Sequence, residues 1–244
     1  KSGAFTSHTV SGRDYGGGGA SVALGDFMGD GTSRVVLTDM DKANRLYTWK
    51  LENNEFVLTQ QSVLPTTRFM LPKWSGYGFT GATDVRSLAF DFDNSGRTSL
   101  VLFSRPIGPN GTWPNYSEVQ FLKNTGSGVF KEVTDTTLVG YNTATQVSYT
   151  PYLMDVNGDG LADLIIGAYF ADPSDTKIDA GRTYIVFGKT NNTAINLSSV
   201  AQGNGGFVVD GESAYDYSGF RVSAAGDVNG DGLADLMVGA INKD

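Results

Sequence analysis

Apolar side chains fall along this chain in short alternating runs. SVALG (21–25) and RVVLT (34–38) flank a polar stretch, and RLYTWK (45–50), EFVLTQ (55–60), EVQFLK (118–123), GVFKEV (128–133) and RTYIVF (182–187) keep the same rhythm. Alternation with period two puts successive side chains on opposite faces of a strand. The runs are rich in β-branched and aromatic residues and are bounded by Gly and Asn turns, as strands are. No long segment of period 3.6 competes with them. The pattern predicts an all-β chain.

The runs repeat. DFMGDGTSRVVLTD from 26, DFDNSGRTSLVLFS from 91, DVNGDGLADLIIGA from 155 and DVNGDGLADLMVGA from 227 align, with spacings of 65, 64 and 72 residues. A strand is expected before each loop, at 21–25, 85–90, 147–154 and 220–226, and another after it, at 34–38, 99–103, 163–166 and 235–238. Two more follow within a repeat: 45–50 and 55–60, 118–123 and 128–133, 182–187 and 206–209, the last pair split by a long insertion. Turns are expected at Glu52-Asn53-Asn54 and at Asn124-Thr125-Gly126-Ser127. Repeats of this length signal an array, and four strands per repeat describe one blade of a β-propeller. The expected blades are 14–65, 80–135, 145–210 and an incomplete 215–244, with 1–13 as the outer strand of a preceding blade. This is a partial propeller; a closed four-bladed ring, with the N-terminal segment completing the last blade, is the other arrangement.

Each loop has its own chemistry. The peptide DVNGDGLADL stands unchanged at 155–164 and 227–236. It places Asp155, Asn157, Asp159 and Asp163, and then Asp227, Asn229, Asp231 and Asp235, at loop positions one, three, five and nine. With the backbone carbonyls of Leu161 and Leu233, this spacing suits a hard cation that takes many oxygen ligands, and calcium is the expected cofactor at two sites. A metal-free turn, in which the same side chains bind nearby amides, is the plainer alternative. Loop two keeps Asp91 and Asp93 but has Ser95 and Ser99, which makes it a weaker third site. Loop one has Asp26 and Asp30, with Met28 and Arg34 where other ligands belong. An arginine in the ninth position replaces the cation electrostatically, so no metal is expected there. The calcium is expected to be structural, because no second cluster supplies a catalytic acid or base.

Composition narrows the function. The 244 residues carry a net charge of -8 and no cysteine. With no basic stripe, nucleic acid is not an expected partner, and disulfide and thiolate-metal chemistry are excluded. No apolar run is long enough for a membrane-spanning helix. His8 is the sole histidine, in an expected edge strand, and there is no GxSxG, HExxH or P-loop pattern, so no enzyme is expected. Tyr15-Gly16-Gly17-Gly18-Gly19 aligns with Tyr217-Ser218-Gly219-Phe220 and reads as a blade-entry turn.

Ser218-Gly219-Phe220-Arg221-Val222-Ser223-Ala224-Ala225-Gly226, the loop after it and Val238-Gly239-Ala240 resemble the FG-GAP repeat of integrin α propellers. Ile166-Gly167-Ala168 and 181–188 (GRTYIVFG) carry the same resemblance in the third repeat. The first two repeats resemble the looser VCBS-like blades of secreted bacterial and fungal proteins. The proline that follows Gly-Ala in the family is replaced by Tyr169 and Ile241. The resemblance implies membership of a ring of roughly seven blades. It also implies an extracellular or cell-surface setting and a longer chain with further blades or domains. Calcium loops would lie on one propeller face and ligand-binding loops on the other.

The function expected is a non-catalytic, calcium-binding extracellular module for adhesion or protein recognition. A carbohydrate-binding propeller attached to a secreted enzyme or toxin, or a purely structural blade array, stands beside it. An extracellular protein or a glycan is the expected ligand. Segment 105–115 (RPIGPNGTWPN) is the first choice for a binding loop. The aromatic residues of 69–79, with Trp113, Tyr116, Tyr169 and Phe170, are open between recognition and inter-blade packing. Sequons stand at Asn110, Asn115, Asn191 and Asn196.

Overall fold

The structure, a computed structural model, describes residues 9–11, 21–38, 44–53, 55–65, 82–106, 118–134, 138–139, 151–191 and 193–242. His8, the glycine run at 15–19, the stretch 69–79, Trp113, Tyr116 and most of the 105–115 loop lie outside those residues, as do the sequons at Asn110 and Asn115.

The described residues are all-β apart from one short helix. The first sheet holds β2 (Ser21–Gly25), β3 (Arg34–Thr38), β4 (Arg45–Glu52) and β5 (Glu55–Val63), paired antiparallel in chain order. The second repeats this with β6 (Ala82–Phe90), β7 (Ser99–Pro106), β8 (Glu118–Gly126) and β9 (Val129–Glu132). The third uses β11 (Tyr152–Met154), β12 (Asp163–Ala168), β13 (Arg182–Val186) and β15 (Gly206–Asp210). A two-stranded sheet, β16 (Arg221–Gly226) with β17 (Asp235–Gly239), begins the fourth. These are propeller-type blades, and no closed ring forms among the described residues.

Several details differ from expectation. Strand β1 (Thr9–Ser11) runs parallel to β5 and is the outer strand of the first sheet, instead of the edge of a preceding blade. Its backbone covers the row of unpaired groups that β5 would otherwise present, a common way to blunt an edge. The β8–β9 turn falls at Ser127–Gly128, later than its sequence suggests. Both residues have positive φ, 49° and 70°, the geometry of a two-residue primed turn that matches strand twist. The insertion after β13 holds β14 (Ile195–Asn196), which pairs in parallel with β10 (Leu138–Val139), and α1 (Leu197–Val200). The side chain of Asn196 caps α1 by accepting the amides of Ser198 and Ser199, and Leu197 and Val200 turn into the core.

The core lies between blades. Ala23, Phe27, Val36 and Leu46 of the first meet Leu100, Leu102, Leu122 and Phe130 of the second. Val101, Phe103, Val119 and Phe121, on the opposite face of the second blade, join Leu164, Ile166, Tyr184 and Val186 of the third. Ile165 and Ile185 then meet Val222, with Leu236 and Val238 packed against them. Alternation on each strand therefore feeds two separate interfaces, one per face. Polar ties reinforce them: Ser87 N–H donates to Ser21 Oγ at 2.9 Å, and Asn124 Nδ2 donates to the Phe27 carbonyl at 2.8 Å.

Leu100 is fully buried in the first interface. Leu100→Ala is expected to cost about 2–5 kcal/mol in denaturant unfolding. Met237→Ala, on the outward face of β17, is expected to stay within about 0.5 kcal/mol of the parent.

Candidate functional site

Every blade turns from its first strand to its second through the same loop, shaped by the aspartate at position one. Asp155 accepts the amides of Gly158, Asp159 and Gly160 at 2.7, 3.1 and 2.9 Å. Asp227 does the same for Gly230, Asp231 and Gly232, and Asp26 for Gly29, Asp30 and Gly31. Asp91 holds the amides of Ser95 and Gly96. Positions four and six have positive φ in all four loops: Gly29 and Gly31, Asn94 and Gly96, Gly158 and Gly160, Gly230 and Gly232. That backbone aims successive N–H groups inward, making an anion nest that the carboxylate fills.

In loop three, Asn157 Oδ1 accepts the Asp159 amide and Asp159 Oδ1 accepts that of Leu161. Asp163 is fully buried and takes the amides of Val156 and Gly188 at 2.8 and 2.7 Å. Burial holds its carboxyl above the usual range, with further upward pressure from the Asp159 and Asp155 charges, although both amide bonds pull the other way. Loop four matches: Asn229 accepts from Asp231, Asp231 from Leu233, and Asp235 takes the Val228 amide. Among the described residues these carboxylates face their own amides, and no three acidic side chains gather at coordinating distance. No ion pair among the described residues involves the six carboxylates of loops three and four. The residue types of each loop, three carboxylates and an amide with no basic partner among the described residues, are those a hard divalent cation takes. Here, though, Asn157 and Asn229 turn their NH2 groups to Asp159 and Asp231 and the carboxylates bond backbone amides, so the side chains would have to turn inward to hold one.

Loops one and two are filled differently. The Arg34 guanidinium lies 2.6 and 2.8 Å from the two oxygens of Asp30, 3.0 Å from the Thr32 carbonyl and 3.8 Å from Asp26. This bond holds the Asp30 carboxyl far below its ordinary value. In loop two, Lys123 Nζ stands 2.5 Å from Asp93. Burial pushes the Asp93 carboxyl up, yet Lys123, with Ser95 and Asp91, brings it below the usual range. Sequence reasoning missed Lys123, because its place opposite the loop depends on strand register. The pairing of Leu100 with Leu122 puts Lys123 one step on, across from Ser99.

Residues 91–166 match the FG-GAP-like repeat family, and 153–186 and 218–240 match the FG-GAP repeat. The chain is 37% identical over 106 residues to integrin alpha-PS2 of Drosophila melanogaster. The chain carries FG-GAP, integrin-α-like repeats. The match covers 41% of this chain and 6% of the length of that relative. Among the described residues no helix is long and apolar enough to cross a membrane.

The other end of the FG-GAP blades carries a second candidate surface. Strand alternation puts the β12–β13 connection (169–181) and the β15–β16 connection (211–220) together, opposite the acidic loops. They are tied by bonds from Tyr215 N–H to the Ile178 carbonyl, Tyr217 to Asp179 and Ser218 to Ala180. Asp179, Tyr215 and Tyr217 all hold positive φ, at 51°, 66° and 54°. Such conformations in non-glycine residues concentrate where function requires them. Tyr215 and Ile178 are exposed at 51% and 47%. Tyr169 and Phe170 pack instead: ring centroids lie 5.1 Å apart for Tyr169 and Phe220, and 5.4 Å for Phe170 and Tyr217.

Gly181 joins the two connections. Its φ is +85°, and an added Cβ would lie 2.1 Å from the Ser218 carbonyl oxygen. Gly181→Ala is expected to drive the loops apart and lower stability by about 1–3 kcal/mol. Faster amide exchange at Tyr215, Tyr217 and Ser218 is the check.

Proposed function

We propose that this chain is a non-catalytic, extracellular, calcium-binding propeller module that recognises a protein ligand in adhesion, as an integrin-α-like unit. The observation that carries this reading is the identical acidic loop in two consecutive blades, each with three carboxylates and no basic partner among the described residues. Calcium would be held in loop three by Asp155, Asn157, Asp159, Asp163 and the Leu161 carbonyl. In loop four the holders would be Asp227, Asn229, Asp231, Asp235 and the Leu233 carbonyl. Bound there, the ion supplies charge neutralisation and ties two strands of a blade, with no part in bond-making. Its binding would offset the Asp155 and Asp159 charges, which add to burial in holding the Asp163 carboxyl up. The similarity to integrin alpha-PS2 supports a cell-surface setting and a protein ligand. Exposed Tyr215 and Ile178, on strained and mutually bonded loops at the far end, supply the recognition surface.

The test joins thermal melts to binding. Wild type, Asp159→Ala and Asp231→Ala are melted in excess calcium and in chelator, and the wild-type chain is applied to immobilised matrix proteins and to a glycan array. Calcium at about a hundred times its dissociation constant is expected to add roughly 2.7 kcal/mol per site, with each variant losing its share. Matrix binding that Tyr215→Ala weakens is expected as well. A melt indifferent to calcium contradicts the metal reading. Retention on glycans alone contradicts the adhesion reading in favour of a lectin.

A further inference from the structure

We propose that Arg34 and Lys123 are tethered cations standing in for a metal ion in loops one and two, so that the first two blades are metal-independent while the third and fourth depend on metal. The division rests on the calcium reading of loops three and four.

The case for Arg34 is positional. It occupies loop position nine, where Asp163 and Asp235 stand in the later blades. Its guanidinium turns back into the loop and touches the carboxylates of positions one and five and the carbonyl of position seven, namely Asp26, Asp30 and Thr32. Those are the positions that in loop three belong to Asp155, Asp159 and Leu161. One side chain therefore removes a carboxylate from the ninth position and presents a positive charge to the donors that remain. Arg34 is 7% exposed, so its charge is held in the structure and is not free to swing into solvent.

Lys123 reaches the same result from another strand. It stands across from Ser99, the ninth residue of loop two, and its ammonium pairs with Asp93 at position three, whose side chain is 8% exposed. In the third blade the corresponding pair is Leu164 with Val186, which puts Phe187 in the place of Lys123. The backbone around the two positions is alike. Asn124 N–H donates to Ser99 Oγ at 3.0 Å, and Gly188 N–H donates to Asp163 Oδ1 at 2.7 Å. The scaffold is kept, and the charge at its centre is what changes: two carboxylates with one basic side chain in each early loop, three carboxylates with none in each later loop.

A covalently attached cation cannot be chelated, which gives the experiment. Hydrogen exchange is followed peptide by peptide in excess calcium and in chelator, with calcium stoichiometry from titration calorimetry. In chelator, exchange in 151–168 and 221–239 is expected to accelerate by up to about a hundredfold where calcium had been at about a hundred times its dissociation constant. Exchange in 21–38 and 82–103 is expected not to change. The double variant Met28→Asn, Arg34→Asp, which gives loop one the side-chain pattern of loop three, is expected to bind one more calcium equivalent than wild type and to become chelator-sensitive at 21–38. Calcium-dependent protection of 21–38 or 82–103 in wild type overturns the proposal while leaving the calcium reading intact. A folded double variant with no added equivalent also overturns it. A wild-type chain with no calcium response anywhere overturns the calcium reading and the division together.

Discussion

An aspartate carboxylate that captures the amides of its own loop is the constraint on which the blades depend. It fixes a turn in which positions four and six have positive φ, and this turn aims the second residue of the loop. Phe27 is fully buried, with its ring centroid 5.9 Å from that of Phe130 in the next blade. Phe92 lies 5.1 Å from Phe121 at the following interface, and Val156 packs in the third. Val228, the equivalent residue of loop four, has no following blade among the described residues and is 74% exposed. The loop is thus a hinge pin as well as a charge cluster. One face of the turn gathers anions, and the other drives an apolar side chain between blades, worth about 1.5–3 kcal/mol when fully buried.

Placing two or three carboxylates on one short loop has a cost, and the four loops differ in how it is met. Loops one and two carry their own counter-charge, from the ninth position in one case and from a neighbouring strand in the other. Loops three and four carry none among the described residues, and the Asp155 and Asp159 charges add to burial in holding the Asp163 carboxyl up. A free divalent ion would offset those charges, and the stability of half the array would then follow the calcium concentration around it. The strained connections at 169–181 and 211–220 belong to the same half, so the proposed recognition surface sits on the blades whose geometry a metal would control.

Much of this was legible in the residues. The strands 21–25 and 34–38 coincide with β2 and β3, and most other expected strands fall within a few positions of the observed ones. The reason is physical: a two-residue period and a repeated Asx-Gly loop are local signals. The pairing of Arg34 with Asp30 was also legible, since both sit in the same loop. Lys123 was not, because only strand register brings it to Asp93. The pairing of β10 with β14 and the turn of α1 escaped as well. Each spans too few residues for periodicity to show, although Asn196 before Leu197 and Val200 is a capping residue ahead of an apolar pair one helical turn apart. The placement of Thr9–Ser11 beside β5 follows from edge chemistry that alternation does not encode.

The central claim is that the first-position aspartate shapes these loops through backbone amides before any metal is considered. Asp26 is the place to test it, because its loop is already filled by Arg34. The measurement is the unfolding free energy of Asp26→Ala against wild type, in chelator and in calcium. The account predicts a clear loss of stability, as deleting an N-cap acceptor gives, and the same loss in both conditions. No loss in chelator, or a loss that appears only in calcium, would contradict it.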